Sequence, residues 1–156
     1  MAYSALEVAD YVLRRQADKG ITLTPMQLIK IVYLCHGWHL GVTREPLINE
    51  PVEAWAYGPV VRSVYDKYKK FGSGAIEAPE TSPDIAPDKA EIIDTIADYY
   101  SQFSGIRLSK LTHLADSPWD VTWRIQGKNA VISDDLIEEY YSKQASTDGQ
   151  QQTATA

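Results

Sequence analysis

The stretch MQLIKIVYLCHGWHL, residues 26–40, is apolar on nearly every side of a helix. A helix of that kind belongs at the centre of a fold, because any other position leaves an apolar face in water. Lys30, His36 and His39 are its only strongly polar side chains after Gln27. Thr24-Pro25-Met26-Gln27 opens it, with Thr as the N-cap, Pro at the first helical position and Gln three residues after the cap. Gly41 reads as its stop.

The flanking sequence supplies partners for such a helix. Ser4-Ala5-Leu6-Glu7 is a capping box, and Leu6, Ala9, Leu13 and Ala17 follow helical spacing up to Gly20. After Pro46 and Pro51, Val52, Ala54 and Ala56 alternate with Glu53, Trp55 and Tyr57, which predicts a short extended segment or hairpin near residues 45–57. Gly58-Pro59 then turns the chain, and Pro59 reads as the first residue of a helix whose apolar stripe is Val60, Val61, Val64, Tyr65, Tyr68 and Phe71. A Gly/Pro-rich surface loop precedes a fourth helix near Pro87. A fifth covers IRLSKLTHLA, a sixth runs from Ser117-Pro118 through Trp123, and Ser133 caps a last one, DDLIEEYYSK. Residues 144–156 lack apolar periodicity and are expected to form a disordered tail. The expected fold is mainly α: one compact domain over residues 1–143, with about six or seven helices and the short extended insert.

Composition narrows the function. The chain has 156 residues and a net charge of −6, and acidity disfavours a general binder of nucleic acid or anionic membranes. Cys35 is the single cysteine, so no internal disulfide forms, and a reducing cytoplasm suits the chain. Glu7 and Asp10 interrupt the apolar run that a secretory leader needs, and no apolar run approaches the ~20 residues of a membrane span.

No catalytic constellation stands out. His36 and His39 share a helix face and His113 is a conceivable third metal ligand, but no H-E-x-x-H glutamate accompanies them. Histidines bonded to backbone are the better expectation, and neither a metal nor another cofactor is expected. Cys35 and His36 are adjacent, so on a helix they do not face each other as nucleophile and base. RSVYDKYKK, residues 62–70, carries four cations against one anion, whereas residues 77–98 carry seven acids and one lysine. Opposed patches of this kind suit steering between proteins, beside the simpler reading of solvated helix faces. If Val52, Ala54 and Ala56 face the core, Trp55 and Tyr57 form an exposed aromatic surface.

LIKIVYLCHGWHL, then EPLINEPVEAWAYGPVVRSVYDKYKKFG, then LTHLADSPW and ISDDLIEEYY together resemble the Panacea-domain proteins, a group that includes SocA-like antitoxins and phage-associated GepA-like proteins. The resemblance spans roughly residues 5–141, and its A-W-x-Y-G-P-V-V segment is its most specific piece. It implies a non-enzymatic antitoxin that neutralises a protein toxin encoded in the same operon by direct contact. A second implied mechanism is delivery of that toxin to an ATP-dependent Clp-type protease. Acidity and the lack of a clear recognition helix disfavour an operator-binding repressor. A fold serving varied toxins keeps its scaffold and varies its contact surface, which assigns Tyr33, Trp38, Pro59 and Trp119 to the scaffold. The expected partner-binding residues are Trp55, Tyr57, Arg62 and Tyr65, of the residue types enriched at interface hot spots.

Overall fold

The structure is a computed structural model that describes residues 2–146 in full and only the backbone of residues 147–155. Over the expected tail, residues 144–156, the backbone as far as residue 155 continues helix, and the side chains past residue 146 lie outside the described residues. The fold is mainly α and is built on the central helix α2 (Pro25–Thr43), whose side chains are buried along most of its length. Helices α1 (Ala5–Asp18), α4 (Pro87–Tyr100), α5 (Gly105–Thr112) and α7 (Asp134–Thr155) pack around it. A short helix α3 (Arg62–Tyr68), continued by a 3-10 turn at Lys69–Phe71, and α6 (Pro118–Gln126) complete the helical set.

The helix starts follow from local chemistry. Ser4 and Thr24 form full capping boxes with Glu7 and Gln27, satisfying amides that no helix turn can reach. Gln27 Nε2 also donates to the Phe103 carbonyl at 2.9 Å, which ties the start of α2 to the link between α4 and α5. Ser104 and Ser117 cap α5 and α6 through Arg107 and Asp120 amides. Two carboxylates join the outer elements. Glu50 accepts from the Ala5 amide at 2.6 Å and from the Ser63 hydroxyl, linking the start of α1 to α3. Asp98 on α4 accepts from Arg15, Gln16 and Lys19 on or beside α1, and the Arg15 guanidinium in particular holds its carboxyl well below the usual range.

A small sheet of order β2-β1-β3 caps one end of α2, from strands β1 (Val52–Trp55), β2 (Gly58–Val60) and β3 (Val131–Ile132). Both pairings are antiparallel, with Ala54 opposite Pro59 and Val52 opposite Ile132. Val52 and Ala54 face the core, as the alternation predicts, while Ala56 is exposed in the turn.

Two sequence expectations are corrected. Gly41 does not stop α2: the helix runs on to Thr43 and ends at Arg44 in the left-handed conformation (φ 67°). Gly41 instead lets α7 approach, since a Cβ there would lie 2.6 Å from the Tyr141 carbonyl carbon. Pro59 does not open a helix but lies in β2, an edge strand where its missing N–H costs no ladder bond, and α3 begins three residues later. Trp38, read as scaffold, packs half-buried on the core, with its indole donating to the Tyr100 hydroxyl at 3.3 Å and its ring 5.3 Å from Tyr141. β3 has only two residues and leaves no periodic signal.

Candidate protein-interaction site

The β1–β2 hairpin turns through Ala56 and Tyr57, and four carbonyls in and beside that turn are held from below by side chains of other elements. Trp119 Nε1 on α6 donates to the Trp55 carbonyl at 2.7 Å. His113 Nε2, just past α5, lies 3.1 Å from the Ala56 carbonyl. Ser109 Oγ on α5 donates to the Tyr57 carbonyl at 2.7 Å. Lys30 Nζ on α2 donates to the Pro59 carbonyl at 3.1 Å. Trp119 itself stacks on Trp123 at 5.3 Å and packs its ring 4.0 Å from His113. The cradle thus draws on three helices and fixes the hairpin backbone, so that the turn's side chains project from a rigid base.

Gly58 is required by that cradle twice over. Its φ of +115° disfavours a side chain, and a Cβ would lie 2.9 Å from Lys30 Nζ and 3.1 Å from both Thr112 Oγ1 and His113 Cε1.

On the outer face, the Trp55 ring meets Tyr65 edge-on at 4.8 Å, and the Arg62 guanidinium sits 5.2 Å from its centroid. Glu53 accepts from Trp55 Nε1 and Arg62 Nη2, each at 3.0 Å. Burial alone raises the Glu53 pKa, but these hydrogen bonds outweigh it and hold the carboxyl below its ordinary value. Tyr57 is 71% exposed. Between the hairpin and the start of α2 lies a groove of about 480 Å³, walled by Trp55, Tyr57 and Tyr65 and floored by Met26, Ile29 and Lys30. Lys30 is only 2% exposed, and its desolvation lowers its pKa to about 7.

Of the four residues expected to bind a partner, Trp55, Tyr57 and Tyr65 line this groove together. Arg62 lies outside it and braces Trp55. Sequence reasoning missed Lys30, Ser109 and His113 as parts of the same structure. A lone lysine inside an otherwise apolar helix was the one available signal.

The histidines have other work. His36 Nδ1 accepts from the Leu47 and Ile48 amides at 3.3 Å, and its Nε2 lies 2.9 Å from Asp134 at the start of α7. His39 Nδ1 is 2.7 Å from the Glu45 carbonyl. Among the described residues no cluster of His, Cys, Asp or Glu could hold a metal ion. Cys35 is fully buried, and burial pushes its thiol pKa up, away from the reactive thiolate. The basic run is partly neutralised at home, with Arg62 on Glu53, Lys67 on Asp10 and Lys69 on Asp66. Asp94 and Asp98 of the acidic run pair in the same way with Arg15. No helix among the described residues is long and apolar enough to cross a membrane.

Comparison with known proteins adds the family. Antitoxin SocA of Caulobacter vibrioides (strain NA1000 / CB15N) is 28% identical over 137 residues, covering 80% of this chain and 73% of that protein. No solved structure matches the chain. The family model described as antitoxin SocA-like, Panacea domain, matches residues 28–120. That span contains the hairpin and all four side chains that hold its carbonyls. The chain therefore belongs to the SocA-like antitoxin family of Panacea-domain proteins.

Proposed function

We propose that this chain is a cytoplasmic, non-enzymatic antitoxin that neutralises a protein toxin encoded beside it by binding the toxin directly through the β1–β2 hairpin and α3. The supporting observation is the groove itself. Three aromatic side chains meet there on a backbone held by three helices, so little conformational entropy is lost when a partner docks. Trp, Tyr and Arg are the residue types that anchor interfaces, and an ordinary interface of about 800 Å² per partner needs only a few such anchors. Family membership supports the antitoxin role, and the relative's name carries the same word.

The test is co-expression with the neighbouring reading frame, followed by co-purification and a growth assay. Tyr57→Ala is expected to weaken the complex about tenfold or more while thermal unfolding moves little, since its side chain is 71% exposed. Arg62→Glu also loses the Glu53 pair and the Trp55 contact, and is expected to lower both affinity and melting temperature. Equal losses of binding and of melting temperature for Tyr57→Ala would return Tyr57 to the scaffold. Toxin that persists at constant level while growth recovers supports direct inhibition, and toxin that disappears only in cells with an active Clp-type protease supports delivery.

A further inference from the structure

We infer that the groove between the hairpin and the start of α2 takes a carboxylate of the partner, carried on a segment with a neighbouring apolar side chain; the carboxylate sits over Lys30 within reach of Lys69 and Lys128, and the apolar group packs on Trp55, Tyr57 and Tyr65. This deepens the antitoxin reading and rests on it.

The charged residues that line the groove are Lys30, Lys69 and Lys128, with no acid among them. In a chain of net charge −6 this is a local field of opposite sign to the whole. Lys30 has one hydrogen-bond partner, the Pro59 carbonyl, for three N–H donors, and no carboxylate pairs with it among the described residues. A buried ammonium without a counter-charge costs stability, and an incoming carboxylate supplies that charge. Lys128 is positioned for it: the next residues pair with β1, Asn129 N donating to the Ala54 carbonyl at 2.7 Å and Ala54 N to Ala130 at 2.8 Å. Lys69 is 3.7 Å from Asp66, an exposed and loosely paired cation. The apolar walls argue for a peptide. A phosphate backbone would meet three lysines where nucleic-acid grooves present a longer basic track.

The titratable and charged groups around Lys30 are His113 from α5, Tyr57 from the hairpin, Tyr65 from α3, Lys69 from the 3-10 turn and Lys128 before β3. Because burial brings the Lys30 pKa to about 7, an anion that restores its charge makes binding take up a proton above that pH.

The experiment is calorimetry of the purified chain with the toxin encoded beside it, from pH 6.5 to 8.5 in buffers of different ionisation enthalpy. The expected result is uptake approaching one proton, with affinity falling up to about tenfold per pH unit above pH 7. Lys30→Met is expected to weaken binding at pH 6.5 and flatten the slope, and Lys128→Glu to weaken it about tenfold with the slope retained. His113→Gln, the control for an imidazole, is expected to retain the slope. Should Lys30→Met unfold, the Lys128→Glu loss and the wild-type proton uptake carry the test alone. A Lys30→Met complex of wild-type affinity and slope, an unaffected Lys128→Glu complex, or competition by a single-stranded oligonucleotide overturns the carboxylate site while the antitoxin reading stands. Absence of any complex overturns both.

Discussion

Lys30 is the residue at which burial, charge and the proposed site meet. Its ammonium is desolvated under the hairpin with a single carbonyl partner, and its pKa falls from the lysine range to about 7. In the unfolded chain the same group titrates near 10.4. Between those two values the unfolded state holds more protons than the folded one, so this lysine makes stability rise with pH across that window, by at most about 1.4 kcal/mol per pH unit. Below pH 7 both states are protonated and the full cost of the buried charge is present. Lys30→Met removes that cost and leaves the Pro59 carbonyl without its donor, a smaller loss of about 1–3 kcal/mol. The variant is therefore expected to melt above wild type at pH 6.5, with the gap closing or reversing by pH 9. Burial raises the pKa values of Cys35, Tyr33 and Tyr141, which lowers alkaline stability in both proteins alike, so the difference between melting curves isolates Lys30. A gap independent of pH would show that Lys30 is not depressed.

At the scale of elements, the contact of α2 with α7 is set by two glycines. A Cβ on Gly37 would lie 2.7 Å from the Tyr141 ring, and one on Gly41 would lie 2.6 Å and 2.8 Å from the backbone of Tyr141 and Ser142. A ring edge can shift, but backbone cannot. Gly41→Ala gains about 1 kcal/mol of helix propensity and meets an overpacking cost of about 1–3 kcal/mol or more, so net destabilisation is expected in chemical denaturation. A neutral or stabilising result would mean that α7 does not seat this closely. The same glycine marks the limit of sequence reading. A glycine after an apolar run carries one signal whether it ends a helix or admits a neighbour, and only the partner helix decides between them. The caps at Ser4, Thr24 and Ser117 were legible because their partners lie three residues away. Pro59 was misread because its role depends on Ala54 across the sheet, and a local rule for Gly-Pro cannot see that pairing. In the candidate site, the types and spacing of Trp55, Tyr57 and Tyr65 showed in the sequence. The meeting of Lys30, Ser109, His113 and Trp119 beneath them did not, because it is made by tertiary packing.

For the whole molecule, the proposed function divides the site into a layer that holds and a layer that binds. Trp119 belongs to the first. It is 8% exposed, its indole donates to the Trp55 carbonyl, and its ring packs on Trp123 and His113. Trp119→Ala removes that burial, opens a cavity between α5, α6 and the hairpin, and removes the indole's hydrogen bond to the Trp55 carbonyl. Large aromatic truncations in cores cost about 3–5 kcal/mol. For a chain of this size each kilocalorie shifts the melting temperature by roughly 2–4 °C, so a fall of about 6–20 °C is expected. Tyr57 belongs to the second layer, and its truncation is expected to move affinity with little change in melting. Below its lowered melting range, Trp119→Ala should still bind the toxin, more weakly to the extent that the turn loosens. Stabilising that variant with bound toxin, read as a rise in melting temperature with toxin concentration, should recover most of the lost degrees. If toxin stabilises wild type but not Trp119→Ala, even where circular dichroism shows the variant folded, the indole contacts the partner and the division into two layers fails.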